Sequence, residues 1–499
     1  MGKRNVRRGR VSVLMVLMVA TLQGLPSRAS GSAAPSPELD CVLPGDSMCE
    51  RWTAAQHGTQ YDSVRAIGAD RAGKRVFLTG IEWPSPYPGN NIVTFAFDAA
   101  GTLLWKDSYN GPRGIQDIPS VVAVSPDGLT AVVAGVSDDN GLSANPATSD
   151  YVAVGYDAAT GTRKWVATYD SGAYDFGMDA VFAPDGSTFY MTGISRGSGD
   201  SSLDFDHVTV AFDAVTGKLL WTAREGAPGE GYDYGIALAV SPDGRFVAST
   251  GWWQKTAQEL GYGTHVFDAD SGDRRWRAVL GAGPQTSSAG RDLEFSPDSR
   301  LLHVTGTLAT EPNEPKWDAG TATYRVDDGA LLWTDRLAIC SSCGTPSLAL
   351  SGQRGTVHVV GTVSRTSVTG AVSYDFAVAS IDPSTGDRGW TAYYDDGLGL
   401  NQMSPGITVA PDGRYLYVAG TTQDSQTNQL TTVALNATTG AVAWDARYGV
   451  PTTVSNVSSS APDIAAGGGL VFVGKATIER IPSSQADFFV AAYEQAPSP

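Results

Sequence analysis

The stretch Val122-Ala-Val-Ser-Pro-Asp-Gly-Leu-Thr-Ala-Val-Val-Ala-Gly135, with Val152-Ala-Val-Gly-Tyr-Asp-Ala-Ala-Thr-Gly-Thr-Arg-Lys-Trp165 behind it, decides the fold. In its first half two apolar runs flank Pro-Asp-Gly. Proline presets φ and glycine supplies a positive one, so this is a tight hairpin between two strands. In its second half residues alternate apolar and polar with period two up to an Asp, then a small-residue turn containing Gly, then Trp. That is a second hairpin. Two hairpins in sequence make a four-stranded antiparallel unit.

The unit recurs. The first phrase returns at Phe182–Gly186, Leu238–Gly244 and Ile407–Gly413, and the second at Val208–Trp221, Phe376–Trp390 and Thr432–Trp444. A glycine closes the second strand at Gly80, Gly135, Gly193, Gly251, Gly306, Gly361, Gly420 and Gly474, with spacings of 55, 58, 58, 55, 55, 59 and 54. A near-constant period of this size marks a repeat fold. The turn tryptophans are Trp105, Trp165, Trp221, Trp276, Trp333, Trp390 and Trp444, one fewer than the glycines.

The missing tryptophan is found at the other end of the chain. The last unit stops near Tyr493 without room for a fourth strand, while Glu50-Arg-Trp-Thr-Ala54 resembles Arg163-Lys-Trp-Val-Ala167. An N-terminal strand carrying Trp52 would complete the last unit and close a ring, removing open sheet edges. The expectation is therefore an all-β, eight-bladed β-propeller of four-stranded blades over residues 49–495, its last blade closed by the N-terminal strand. A linear solenoid of the same period is the rival, but complementary half-units at its two ends would have no use.

Before the propeller, five basic residues between Lys3 and Arg10 precede an apolar run from Val11 to about Leu25 and small residues around Ala29–Ala34. That order reads as a signal peptide over residues 1–34, cleaved at about 29–34, and so as a secreted or extracytoplasmic protein. The run is short for a membrane span, nothing later approaches one, and a soluble, non-embedded monomer is expected. Residues 35–48 form an N-terminal segment and 496–499 a tail. In an exported chain Cys41, Cys49, Cys340 and Cys343 suggest two local disulfides, although three pairings are possible. The whole chain has net charge −17; without its first 34 residues 29 bases face 52 acids, a net of −23. Nucleic acid is a poor partner for such a surface.

The turns Asp157-Ala-Ala-Thr-Gly-Thr-Arg-Lys-Trp165 and Asp213-Ala-Val-Thr-Gly-Lys-Leu-Leu-Trp221 resemble the tryptophan-docking repeat of quinoprotein alcohol dehydrogenase-like, or PQQ-like, propellers. Asp150-Tyr151, Asp375-Phe376 and Asp487-Phe488 resemble the entry of SBBP-type repeats of exported bacterial propellers. The resemblance spans nearly the whole mature chain and implies the fold. For its catalytic members it implies pyrroloquinoline quinone (PQQ) and Ca²⁺ on the channel axis, usually under a disulfide of adjacent cysteines. Here there is no adjacent cysteine pair. The reading leans to a non-enzymatic binding or scaffold propeller, with a PQQ- or calcium-dependent oxidoreductase as the alternative.

Aligned on the closing glycines, Asp62, Asp117, Asp175 and Asp233 share one position at the start of the innermost strand, with Asp179 and Asp292 four residues further along in their own blades. Four carboxylates at one channel mouth would suit Ca²⁺ or a cationic ligand. The competing reading is that each Asp accepts local backbone N–H groups in a blade connector. Arg291 and Asn401 interrupt the acidic ring. Loops at about 83–92, 136–150, 195–206, 308–318 and 421–430 emerge on this same face, where an unidentified protein, glycan or small molecule would bind. Trp83, Trp252, Trp253 and Trp317 lie near it, either exposed to such a ligand or packed over loop bases.

Three motifs are decoys. Gly193-Ile-Ser-Arg-Gly197 fits a hydrolase elbow but opens no helix. Asp268-Ala-Asp-Ser-Gly272 starts like a calcium loop but coincides with the turn of every blade. His57, His207, His265, His303 and His358 have no zinc spacing.

Overall fold

The computed structural model describes residues 48–495 except 57–62, 85–88, 141–148, 198–203, 227–230, 257–258, 282–285, 311–316, 340–345, 353–354, 367–371, 396–400, 424–426, 452–462, 468–469 and 479–485. Strands fall into eight antiparallel sheets, each four strands long in chain order apart from the last. In blade 1 these are Ser63–Ala69, Arg75–Glu82, Asn91–Asp98 and Leu103–Tyr109. Blade 4 gains a two-residue strand, Thr286–Ser287, parallel to Glu259–Asp268. The innermost strands begin at Ser63, Gln116, Asp175, Tyr234, Ala289, Ser347, Asn401 and Asp463, each touches the next, and the last returns to the first. The ring is closed.

Closure uses the N-terminal strand as expected. Met48–Gln56 pairs antiparallel with Ala486–Gln495 and forms the outer edge of blade 8. Trp52 then does what the other tryptophans do. The indole N–H groups of Trp52, Trp105, Trp165, Trp221, Trp276 and Trp333 donate to the carbonyls of Ala99, Ala158, Ala214, Ala269, Val326 and Pro383, in the turn of the following blade. Each ring covers the turn glycine there. A Cβ on Gly101, whose φ is +81°, would stand 2.5 Å from the Trp52 ring. The Asp that opens each turn holds it, as Asp157 does by accepting the N–H groups of Ala159 and Thr160.

At the rim, ion pairs tie blade 1 to 2 (Asp107–Arg163, 2.8 Å), 3 to 4 (Glu225–Arg274) and 5 to 6 (Asp335–Arg388, 2.8 Å). In blades 1 to 6 the even blades carry an Arg two residues before their tryptophan (Arg163, Arg274, Arg388) and the odd blades carry Leu-Leu there (Leu103-Leu104, Leu219-Leu220, Leu331-Leu332). These six blades thus have a two-blade period beneath the one-blade one.

The closing glycine is explained by space, not by φ. In each of blades 1 to 5 the innermost strand bulges opposite it, leaving one residue unpaired: Arg65, Ser120, Met178, Ile236 and Arg291. The bulge presses a carbonyl onto the glycine, so that a Cβ on Gly251 would lie 1.7 Å from the Tyr234 oxygen and one on Gly193 2.1 Å from that of Phe176. Backbone cannot yield as a side-chain tip can. Gly251→Ala is therefore expected to lower the urea midpoint by the equivalent of about 2–4 kcal/mol, within the range of core overpacking and lost backbone geometry. Gly244→Ala, at a turn with open space around it, is the comparison: it should lose only the smaller amount that its φ of +75° dictates. Equal losses at the two sites would refute the bulge account.

Candidate functional site

The aspartates aligned by sequence are placed as follows. Asp62 lies outside the described residues. Asp117 is buried and accepts N–H groups of Gly111 and Asp138 (2.8 and 3.0 Å) and the Ser137 hydroxyl (2.6 Å). Asp233 is buried and accepts the Gln254 N–H at 2.7 Å. Asp175, also buried, accepts the Ser171 N–H and hydroxyl at 2.7 and 2.9 Å. All three fasten the connector or neighbouring strand end in the manner of the competing reading. Asp179 and Asp292 instead join innermost strands of adjacent blades, through the N–H groups of Leu238 (2.8 Å) and Leu348 (2.9 Å).

Asp175 has a second set of neighbours. Asp150 opens the third strand of blade 2 (Asp150–Asp157), Asp170 follows its fourth (Arg163–Tyr169), and Asp175 opens the first strand of blade 3 (Asp175–Phe182). Antiparallel pairing sets Tyr151 opposite Tyr169, and the Asp175 N–H donates to the Ser149 carbonyl, so three strand ends meet at one corner of the loop face. One carboxylate oxygen from each of Asp150, Asp170 and Asp175 lies within 4.8 Å of the others. Burial, and then the charge of Asp170, push the Asp150 carboxyl up to about 7, against the pull of Arg113 at 3.9 Å. Burial raises Asp175 as well, opposed by its bonds to Ser195 and Ser171.

Such a corner offers a hard cation three of the roughly six to eight oxygens that Ca²⁺ takes. Among the described residues it is the one group of three such side chains close enough to share an ion. Alignment of the repeats missed Asp150 and Asp170, since they occupy other positions of the repeat; their signal was that all three flank a single blade junction.

Of the loop-face tryptophans, Trp253 is buried against His265 (5.2 Å) beneath the Arg277 guanidinium (4.2 Å). Trp252 is half-buried and stacks on Tyr234 at 5.2 Å. Trp83 and Trp317 are half-buried. Ser195 of the hydrolase-like motif is buried inside a strand, and Asp268 accepts the N–H groups of its own turn. The pairings expected of the four cysteines lie outside the described residues: Cys41, Cys340 and Cys343 are not among them, and only the backbone of Cys49 is described.

Ring closure, docked tryptophans and glycine-backed bulges define a PQQ-like β-propeller. The chain belongs to the family described as outer membrane protein assembly factor BamB, whose model matches residues 89–299 and again 263–476. A search of curated proteins gives no match. Among solved structures, Sqt1 of Chaetomium thermophilum, bound to the N-terminus of ribosomal protein L10, is similar at 13% identity and TM-score 0.52, covering 88% of this chain and 98% of that one. Quinohemoprotein alcohol dehydrogenase from Comamonas testosteroni (12%, TM-score 0.47, 89% and 77%) and the periplasmic gluconolactonase of Pseudomonas aeruginosa (15%, 0.42, 79% and 97%) are also similar. At these identities the likeness is one of fold. No described helix is long and apolar enough to cross a membrane.

A Ca²⁺ ion on the channel axis would be poorly served by the inner-strand starts, where Asp117 and Asp233 are turned to Gly111, Ser137, Asp138 and Gln254.

Proposed function

We propose that this chain is an exported, non-enzymatic binding propeller that meets its partner or ligand on the loop face, with Asp150, Asp170 and Asp175 holding a Ca²⁺ ion there. The carrying observation is the convergence of those carboxylates within 4.8 Å at a blade junction, one of them pushed up to about 7. A cation would relieve that mutual repulsion and pin two blades and their loops together. The family's description as an assembly factor supports binding over turnover. The leader-like first 34 residues support export, and the four cysteines would then form disulfides.

The test is the melting temperature of the mature protein in chelator, then with Ca²⁺ added to 1 mM, each with and without PQQ. At about a hundred times Kd, ligand stabilises the native state by about 2.7 kcal/mol. A rise with Ca²⁺ that Asp150→Asn and Asp170→Asn abolish is expected. No rise would refute the cation site, and a rise that needs the quinone would favour the oxidoreductase.

A further inference from the structure

The bulges that explain the closing glycines also decide which side chains face the axis. The unpaired residue stands fifteen positions before its glycine in every case, Arg65 before Gly80 and Arg291 before Gly306 among them. Val64 and Ala66 on either side of Arg65 are buried in the packing between blades, yet Arg65 is exposed. On the innermost strand of a closed ring, open space means the axial channel. Arg65 belongs to blade 1 and Arg291 to blade 5, four steps apart in a ring of eight, so their innermost strands stand on opposite sides of the axis.

Both guanidinium groups are unanswered. Neither has a hydrogen bond or ion pair among the described residues, and the Arg291 Nε is buried without a partner. Elsewhere arginines find acids, as Arg163, Arg224, Arg274 and Arg388 do. Burial alone lowers both groups, with no carboxylate near enough to oppose it. Glu294, two strand positions beyond Asp292, is the exposed acid of the same strand, and its surroundings and then Asp292 push its carboxyl up to about 8. Between the arginines on one side of the ring the bulges present Met178 and Ile236, and Arg291 lies over the Trp252 ring at 5.7 Å.

We propose that the channel mouth is a binding site for a small organic dicarboxylate, its two ends taken by Arg65 and Arg291 and its apolar middle lying beside Met178, Ile236 and Trp252. Guanidinium pairs with carboxylate through two parallel hydrogen bonds, and a partly desolvated, unpaired cation gains most from such a partner. In a chain of net charge −17, two arginines on opposite inner strands with no acid paired to either among the described residues make a local exception that favours anions. The site shares no residue with the Asp150 corner and stands or falls separately from it.

The experiment is calorimetric titration of the mature protein at low chloride with the α,ω-dicarboxylates from succinate to suberate, and with acetate and inorganic phosphate. Saturable one-to-one binding with an optimum chain length is expected, and acetate should bind at least tenfold more weakly. Arg65→Gln and Arg291→Gln should each weaken the best dicarboxylate at least tenfold. Arg291→Lys, which keeps the charge and loses the fork, should weaken it less. Asp150→Asn should leave it unchanged. Because each Gln variant removes a charge with no acid partner, its melting temperature should stay equal or rise, which separates lost binding from lost folding. No binding by any dicarboxylate, indifference to both arginines, or acetate and phosphate binding as well as the best diacid through one arginine alone would overturn the two-ended site.

Discussion

Trp52→Ala should unfold this protein at a markedly lower urea concentration, with a loss of about 3–5 kcal/mol, the range for removing a large aromatic from a packed core. Trp52 is 3% exposed, lies 6.0 Å from Phe97 and 6.1 Å from Phe472, and donates to the Ala99 carbonyl at 2.9 Å. It therefore touches blade 8, to which its own strand belongs, and blade 1. The chain runs on from this strand into blade 1 as it does at every junction, but inside blade 8 its two ends are joined only by the pairing of Met48–Gln56 with Ala486–Gln495 and by packing. Deleting residues 48–56 should cost more, because Ala486–Gln495 then becomes an open edge that invites association. Trp390 is the comparison: its ring covers Gly440, but its indole N–H is buried without a partner. Trp390→Ala should cost less than Trp52→Ala, and Trp52→Phe should fall between wild type and Trp52→Ala. Equal midpoints for wild type and Trp52→Ala would mean that the N-terminal strand does not close the ring.

That closure was readable because it rests on local signals. Pro-Asp-Gly, the Asp-to-Trp turn and the closing glycine each act within a few residues, and their count left one tryptophan to be supplied from the N-terminus. The reason for the closing glycine was not readable: it depends on a carbonyl from the preceding strand, pushed outward by a bulge that no residue type announces. Aligning the repeats to find a site had a built-in fault. Equivalent positions in a ring are held apart by the ring, one per blade, so Asp117, Asp175 and Asp233 have separate partners. Residues that meet come from inequivalent positions flanking one junction, as Asp150, Asp170 and Asp175 do. The two-blade alternation of Leu-Leu and Arg before the tryptophans was present in the sequence, but only the rim pairs Asp107–Arg163 and Asp335–Arg388 give it a meaning. Opposition across the ring is the one case in which equivalence informs, and it is what sets Arg65 against Arg291.

In chelator, stability should be greatest near pH 6.5 and fall on both sides, for two opposed reasons. His207, His265, His303 and His358 are buried between blades. The rings of His207 and His265 meet at 4.8 Å, and His265 has no hydrogen bond at either nitrogen. Burial pushes His207 to about 3, His303 and His358 to about 4, and His265 well below the usual value. Below the ordinary histidine value of about 6.5 the unfolded chain takes up protons that the native state refuses, so stability is lost as pH falls, by up to about 1.4 kcal/mol per pH unit for each ring. The raised carboxyls act the other way. Asp150 at about 7 and Glu294 at about 8 keep in the native state protons that the unfolded chain has shed, so stability is lost as pH rises towards those values. Asp117, Asp175, Asp292 and Asp375 are raised by burial and trim the acid limb in the same sense. Between pH 5 and 6 four histidines outweigh the two strongly raised acids, and above 6.5 only the acids remain. Urea midpoints from pH 4.5 to 8.5 should trace this maximum, and His265→Phe, which fills the same space beside Trp253 without a titrating nitrogen, should flatten the acid limb alone. A midpoint that climbs steadily into acid, or an acid limb that His265→Phe leaves unchanged, would show that the protonated rings find water without opening the blades.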